Sequence, residues 1–299
     1  MIKIFDRKFE FHALLMYPNF IYWQLNDFFT NWIQPPPGIS IENWINSFCE
    51  ILSNFLDIRI AARGLIASKI LWLCKQRNSI ETGIYPTLRD VYKLIRNTKY
   101  HLLSHTARYQ ETILNRFEGL LTVFGDHICS QKKLNWENFL KMNWAISLDG
   151  IPVDYQNLFI TVTISKIMMY RMAHNMRNNQ LCDLFVFDEA STMFRKYYEQ
   201  REGSYLLLDY LAKAREFGIG FIISTQNLSN LADSVLSNTS TKIMVGGAGL
   251  GKDYDIFAQG TGIDFEQKEF MKQLMRPGMA VVKDPRYPHP FLLEIPRIA

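Results

Sequence analysis

The stretch Leu181-Cys-Asp-Leu-Phe-Val-Phe-Asp-Glu-Ala-Ser191, "LCDLFVFDEAS", decides the fold class. Its continuous apolar run predicts a strand near 182–187 that is buried on both faces, as in a parallel sheet covered by helices. The run ends in two adjacent carboxylates, Asp188 and Glu189. Open α/β sheets bind ligands at the carboxyl ends of their strands, so these acids mark a candidate site. The alternative is an acidic strand end that only caps a helix starting at Ala190.

A second buried strand follows in the segment 211–245, "LAKAREFGIGFIISTQNLSNLADSVLSNTSTKIMV". We expect a turn at Gly218, a strand at 219–224, and polar residues Thr225 and Gln226 at its end. If this strand runs parallel to the acidic one, both strand ends meet at the same edge of the sheet. Gln226 would then orient an attacking water or contact a terminal phosphate. The alternative is a hydrogen bond between the strand end and the following loop.

Arg215 lies at the end of the helix that precedes this second strand. In that position its side chain is expected to point outward, toward a neighbouring subunit. The alternative is a cation that favours the carboxyl end of the helix dipole.

The rest of the chain alternates strands with helices, which is typical of an α/β fold. The segment "QPPPG" (34–38) interrupts this alternation, and residues 39–141 show helical periodicity. We therefore predict a core from residues 1–30 and 142–299 with an all-helical insertion at 39–141. Further strands are expected at 2–5, 20–25, 144–148, 241–245, 279–282 and 291–295, and further helices at 153–175, 204–217, 228–237, 252–259 and 265–273.

Bulk composition restricts the class of protein only loosely. A chain of 299 residues with 48% apolar residues is long enough to bury a large core. The formal charge of +4 does not by itself require a nucleic-acid partner. The four cysteines show no metal-binding spacing, which favours reduced thiols in a cytoplasmic protein. The longest apolar stretch, 158–170, includes Lys166 and is too short for a membrane span.

The two strand segments together resemble the HerA/FtsK superfamily of hexameric DNA-pumping ATPases, which includes conjugative coupling and secretion ATPases. The pattern is most similar to the HerA-like branch, with matching residues at Asp188, Glu189, Arg215, Gly218, Gln226, Leu236, Ser237, Asn238, Thr241 and Lys242. Similarity extends to "IFDRKFEF" (4–11), "LDGIPVDYQNLF" (148–159) and "LMRPGMAVV" (274–282). The resemblance implies a RecA-like parallel sheet with a C-terminal β-hairpin.

The resemblance also implies a role for each matching site residue. Asp188 would hold Mg²⁺ through water, and Glu189 would act as the general base for ATP hydrolysis. Gln226 would sense the terminal phosphate, with Thr225 beside it on the nucleotide. Arg215 would serve as an arginine finger in the site of the neighbouring subunit. ATP and Mg²⁺ are the implied cofactors.

One departure from the family concerns the phosphate-binding loop. The family places a GxxxxGK[ST] loop before the strand corresponding to 4–11, and no such loop precedes it here. The stretch "MVGGAGLGKD" (244–253) has Asp253 where the magnesium-binding hydroxyl belongs, so we interpret it as a glycine-rich turn before a helix. We expect that Met1 is not the start of a self-sufficient ATPase, and that the first (Walker A) strand is missing from the sheet. In the family that strand lies centrally in the sheet, so its absence would leave a gap between neighbouring strands, with unpaired backbone groups and exposed apolar faces.

The segment "STMFRKYYEQREGS" (191–204) is the candidate for DNA contact, because it combines basic and aromatic residues. Arg195, Lys196 and Arg201 are the side chains expected to contact phosphates. A solvated amphipathic helix explains the same pattern equally well.

Three functions follow from these observations. The first is an ATPase subunit of HerA type in a hexamer or ring with loop-bearing subunits, which moves double-stranded DNA, with a possible nuclease partner. The second is a non-catalytic subunit lacking Walker A, which binds partners and donates Arg215 to an active site. The third is a secretion or conjugation ATPase of type IV systems that handles protein or single-stranded DNA.

Overall fold

A computed structural model describes residues 1–101, 104–196, 206–246 and 251–296 of the chain. The chain divides into two compact units. The first unit comprises Met1–Phe187 and Tyr205–Ile222, and the second comprises Asp188–Ser204 and Ile223–Ala299. No helix within the described ranges combines the length and the apolar character that a bilayer crossing needs.

The first unit is built on a five-stranded parallel sheet, as predicted. The strand order is β2-β3-β1-β4-β5, and the register places Ile4 of β1 between Ala145 of β3 and Val186 of β4. The buried positions of the central strands are mostly apolar, with Lys3, Asp6 and Asp183 as charged exceptions, and helices cover both faces of the sheet. The strands are β1 (Ile2–Asp6), β2 (Phe20–Trp23), β3 (Asn143–Ser147), β4 (Asn178–Phe187) and β5 (Phe217–Ile223).

Gly218 lies inside β5 rather than in a turn before it, so the predicted turn at this position is wrong. Its φ of 65° is in the left-handed region that favours glycine. A Cβ atom at this position would lie 2.6 Å from the carbonyl oxygen of Gln180 on the neighbouring strand. Close approach of two backbones, not chain reversal, therefore explains this glycine.

The segment between β2 and β3 is helical, in agreement with the periodicity of the sequence. Two of its helices begin at residues with side-chain caps: the Ser40 hydroxyl accepts from the Asn43 amide, and Thr87 and Asp90 form a capping box. Whether this segment is a separate insertion bounded at 39 and 141 stays a prediction. The helices are α1 (Ile41–Leu56), α2 (Ile60–Gln76), α3 (Ser79–Thr82), α4 (Leu88–Asn97), α5 (His105–Phe124) and α6 (Trp136–Lys141).

Two further helices of the first unit cover the sheet: α7 (Val153–Ala173) and α8 (Leu206–Lys213). Helix α7 buries almost every residue from Gln156 to Met168, since it lies among the sheet, α1 and α8. The predicted helix 204–217 ends earlier, because residues Ala214–Glu216 tighten into a 3₁₀ turn before β5.

A buried ionic cluster connects the sheet to α7. Asp183 of β4 accepts hydrogen bonds from both Lys3 of β1 and Arg171 of α7, and all three side chains are at least 95% buried. Lys3 also donates to the Leu140 carbonyl and Arg171 to the Phe217 carbonyl, each at 3.1 Å. The cluster therefore contacts α6, α7, β1, β4 and β5.

The second unit contains a separate antiparallel sheet of order β6-β7-β8. The predicted C-terminal hairpin is confirmed as β7 (Met279–Lys283) and β8 (Phe291–Glu294), and β6 (Lys242–Val245) pairs with β7. One face of this sheet packs on α10 (Gly251–Thr261) and α11 (Phe265–Leu274) through Met244, Val281, Phe257, Met271 and Met275.

The predicted helix 228–237 is broken in the structure. A 3₁₀ turn at Leu228–Asn230 is followed by α9 (Asp233–Asn238). The interruption is explained by pairing with the segment after β4: Leu231 bridges Arg195, and the Ala232 amide donates to the Phe194 carbonyl at 2.7 Å. These backbone groups bond outside the helix, so helical hydrogen bonding cannot continue through them.

Candidate functional site

Glu189 occupies an unusual backbone conformation directly after β4. Its φ of 51° and ψ of 47° place a non-glycine residue in the left-handed region. Such a conformation costs about 1–3 kcal/mol and is concentrated at functional sites. The Ser191 hydroxyl donates to Glu189 Oε1 at 2.8 Å, which orients the carboxylate. A 3₁₀ turn at Ala190–Thr192 follows, rather than the α-helix that a simple capping role would require.

The ends of β4 and β5 are held together directly. The Ala190 amide donates to the Ser224 carbonyl at 2.8 Å, so the acid-bearing segment and the polar residues after β5 lie side by side. Thr225 is turned into its own loop, since the Asn227 amide donates to the Thr225 hydroxyl oxygen at 3.1 Å. The structure thus brings Asp188, Glu189, Thr225 and Gln226 to one edge.

Two of these side chains have no partner among the described residues. The Asp188 carboxylate is half-buried and makes neither a hydrogen bond nor an ion pair there, and the exposed Gln226 amide likewise makes no hydrogen bond there. The strand-to-loop hydrogen bond that would explain Gln226 as purely structural is thus absent from that part of the chain. A free carboxylate and a free amide are both available to a ligand.

The oxygen donors at this edge suit Mg²⁺ in its usual mode, in which one carboxylate and several waters complete the coordination. No group of three or more His, Cys, Asp or Glu side chains in the described ranges could hold a metal alone. Asp188 therefore fits a magnesium ion that takes its remaining ligands from water and phosphate, and Thr225 fits less well because its hydroxyl is already used.

The glycine-rich stretch 244–253 does not offer a phosphate cradle in its described part. Lys252 is exposed in the first turn of α10, whereas Asp253 is 2% exposed and accepts the Ser229 amide at 2.9 Å. Asp253 is thus engaged in anchoring the loop before α9. Gly246 donates its amide to the Met279 carbonyl at 2.7 Å, and a Cβ there would lie 2.3 Å from the Arg276 carbonyl oxygen. A hydrogen bond accounts for Asp253 and close backbone packing accounts for Gly246, without a role in phosphate binding.

Arg215 lies at the opposite end of β5 from Gln226. It is exposed within the 3₁₀ turn Ala214–Glu216, just before the strand begins. A strand of seven residues spans about 20 Å. Arg215 therefore does not join the Gln226 end of its own strand.

The basic segment after β4 is described only in part, and Arg201 lies outside the described residues. Arg195 is exposed and pairs through its backbone with Leu231. Lys196 forms an ion pair with Asp233 at 2.9 Å. The Arg195 side chain has no partner among the described residues, while Lys196 must leave Asp233 before it can contact a phosphate.

Ser191 is the site residue that sequence reasoning missed. Its side chain is the one that holds Glu189, and it is buried. The signal was a hydroxyl two positions after the candidate base, which suits a turn in which that hydroxyl reaches back to the carboxylate.

Solved structures share this fold along nearly the whole chain. VirB4 of Thermoanaerobacter pseudethanolicus matches with a TM-score of 0.71 at 14% identity, over 99% of this chain and 82% of that one. The plasmid coupling protein TrwB, in complex with the ATP analogue ADPNP, gives a TM-score of 0.66 at 10% identity, over 99% and 78%. Comparison of sequences gave no match to a family model or to a curated protein. The chain therefore shares the α/β fold of these proteins, a parallel sheet flanked by helices with a small antiparallel sheet, as the resemblance implied.

Proposed function

We propose that the chain is a subunit of an ATP-hydrolysing ring that moves double-stranded DNA in the cytoplasm. The observation that carries this proposal is the Ala190–Ser224 hydrogen bond at the ends of β4 and β5, which joins the segment that bears Glu189 to the segment that bears Gln226. Asp188 and Gln226 remain unpaired among the described residues, as binding groups for a magnesium-bound nucleotide should be. The fold shared with TrwB, which was solved with an ATP analogue, supports a nucleotide as ligand.

Each side chain has a definite task in this proposal. Mg²⁺ bound to ATP would neutralise charge on the transferred phosphate. Asp188 holds that ion through water. Glu189, oriented by Ser191, accepts a proton from the attacking water. Gln226 positions that water by hydrogen bonding. Arg215 acts in the neighbour's site, because it lies at the far end of β5.

The first test is ATP turnover with and without double-stranded DNA, for the wild type and for Glu189→Gln. Loss of a general base lowers the rate by about 100-fold or more, while binding of a fluorescent ATP analogue persists. The matched control is Glu266→Gln, an exposed glutamate in the first turn of α11. Equal turnover by the wild type and Glu189→Gln would remove Glu189 from the mechanism.

The second test separates a ring from isolated subunits. Glu189→Gln and Arg215→Ala are each expected to be inactive, but a mixed assembly places an intact Arg215 next to an intact Glu189 in some interfaces. Partial recovery of turnover on mixing is therefore expected. No recovery, in an assembly shown to exchange subunits, would contradict the assignment of Arg215 to the neighbouring site.

DNA contact is tested through salt dependence. Arg195→Ala should weaken binding uniformly across sequences and reduce the slope of log affinity against log salt by about one. Lys196→Ala should have a smaller effect, since Lys196 is paired with Asp233. Lys213→Ala, an exposed cation on α8, is the control and should leave the slope unchanged.

The second candidate function is a subunit that depends on a phosphate-binding loop from another polypeptide segment. One observation favours it: β5 is the last strand of its sheet within the described residues, it is apolar throughout, and Ile222 is 49% exposed. Native edge strands usually carry charged residues or proline, which prevent pairing with another strand, and β5 has neither. A parallel strand followed by a phosphate-binding loop would place that loop beside Thr225 and Gln226. Under this function the chain alone shows no ATP binding, and a loop-bearing subunit restores it.

The third candidate, a secretion or conjugation ATPase, is supported by the fold shared with VirB4. It differs from the first in its substrate. Stimulation of turnover by single-stranded DNA or by an unfolded protein, without stimulation by double-stranded DNA, would favour it. A nuclease partner for the first candidate stays a proposal that co-purification tests.

A further inference from the structure

Lys166 is a buried cation that the proposed function does not use. It lies on α7, is 6% exposed, and burial lowers the pKa of its amine to about 7. No charged neighbour in the described residues contributes to that pKa shift. A buried ammonium group without a counter-ion is costly, so the protein either deprotonates it or provides an anion.

The surroundings of the Lys166 amine favour its charged form. The Nζ atom donates to the Asn31 carbonyl oxygen at 2.5 Å and lies 5.2 Å from the centre of the Trp44 ring. Both the carbonyl dipole and the ring face attract a cation. An ammonium group has three donors, and these two contacts leave one of them for a further acceptor.

A small cavity beside Lys166 has the right lining for that acceptor. Its volume is about 20 Å³, which suits one particle of the size of a water molecule. Thr30, Gln34 and Lys132 supply a hydroxyl, an amide and a second ammonium group, and no carboxylate lines the cavity. Lys132 is the one other titratable side chain in this lining.

We propose that the cavity beside Lys166 binds a small monovalent anion of the halide class as the counter-ion of Lys166. None of its lining residues belongs to the proposed ATPase site, so the two sites are distinct. The anion would connect α7 to the segment 30–34 and to Lys132, two segments that are far apart in the sequence. It would therefore stabilise the first unit without taking part in hydrolysis.

Thermal unfolding of the whole chain at pH 7 tests the proposal, in sodium chloride and in sodium gluconate of equal ionic strength. Gluconate is too large for the cavity. A ligand that binds only the folded state raises Tm, so the wild type should melt a few degrees higher in chloride. Lys166→Met should show no such difference. Lys133→Met, an exposed lysine outside the cavity lining, should behave as the wild type.

Two further measurements keep the proposal testable if Lys166→Met does not fold. Thr30→Val and Lys132→Met keep Lys166 but remove a donor from the lining, and each should reduce the chloride effect. Crystals grown in bromide should show an anomalous peak next to Lys166 Nζ. An equal chloride effect in all variants, or bromide bound only elsewhere, would overturn the proposal.

Discussion

Replacing Asp183 with asparagine should remove a large part of the free energy of unfolding of the first unit. The carboxylate of Asp183 holds both Lys3 and Arg171, and the three side chains are almost completely buried. Asparagine has nearly the same shape, so the substitution removes charge without opening a cavity. What remains is two cations in a dry environment.

The size of the loss follows from which cation can become neutral. Burial already lowers the pKa of Lys3, and removing Asp183 takes away an interaction that raises it, so Lys3 can deprotonate. Arg171 cannot lose its proton and keeps only neutral acceptors, the Phe217 carbonyl at 3.1 Å and the amide oxygen of the new side chain. An uncompensated buried charge costs about 3–5 kcal/mol. Domains are stable by about 5–15 kcal/mol in total, so this loss is a major fraction.

Urea unfolding followed by tryptophan fluorescence is a suitable assay, because Trp144 and Trp32 are fully buried in the first unit. With a urea dependence near 2 kcal/mol/M, the midpoint should fall by about 2 M at unchanged slope. The control is Asp126→Asn, which breaks an exposed ion pair to Arg89 of 3.0 Å length. That pair is worth at most about 1 kcal/mol.

The reasoning fails if Asp183→Asn and Asp126→Asn shift the midpoint equally. A small shift for Asp183→Asn would mean that solvent reaches the cluster, or that Lys3 and Arg171 find other acceptors. Asp183→Leu distinguishes these outcomes, since it removes the hydrogen-bond acceptor as well and should cost more than asparagine.

Three other predictions concern thiol ionisation, a buried carboxylate and a helix cap. Burial raises the pKa of the Cys49 thiol from 9.0 to about 12. The stability that the neutral thiol contributes to the folded state is therefore complete below pH 9 and is lost as the pH rises from 9 to 12. Cys49→Ala should therefore reduce the loss of stability between pH 9 and 10 by about 1 kcal/mol in urea titrations; equal slopes would contradict this. Asp253→Ala should lower stability by about 1–3 kcal/mol in thermal melts because the Ser229 amide loses its acceptor, whereas Lys252→Ala should change neither stability nor ATP affinity. Loss of ATP binding in Lys252→Ala would restore 244–253 as a phosphate loop. Thr87→Ala breaks the capping box of α4 and should cost about 1 kcal/mol, while Thr112→Ala on the exposed part of α5 should cost little; equal effects would remove the cap as the cause.

Much of the fold could be predicted because buried parallel strands have a strong local signal. The runs that form β4 and β5 are apolar at successive positions, and that pattern needs no knowledge of distant residues. The sheet to which β6 belongs could not be predicted in the same way. Its four residues indicate a strand, but only pairing with β7, about 35 residues away, shows which sheet it joins.

The site could be predicted in its residue types and only partly in its geometry. The acids and the polar residues after β5 are visible in the sequence because each ends an apolar run. The left-handed conformation of Glu189 is not, since glutamate has no preference for it and the surrounding structure imposes it. Lys3 likewise reads as a solvated N-terminal charge, because its partner Asp183 is 180 positions away.

The tight approach of Gly246 to Arg276 has a consequence for how related sequences are interpreted. Any side chain at 246 would overlap the backbone of the opposite turn, whatever becomes of nucleotide binding. Homologues that keep the β6–β7 pairing should therefore keep this glycine even after losing catalysis. A sequence profile that counts this glycine as evidence of nucleotide binding would therefore mistake a packing requirement for a functional one.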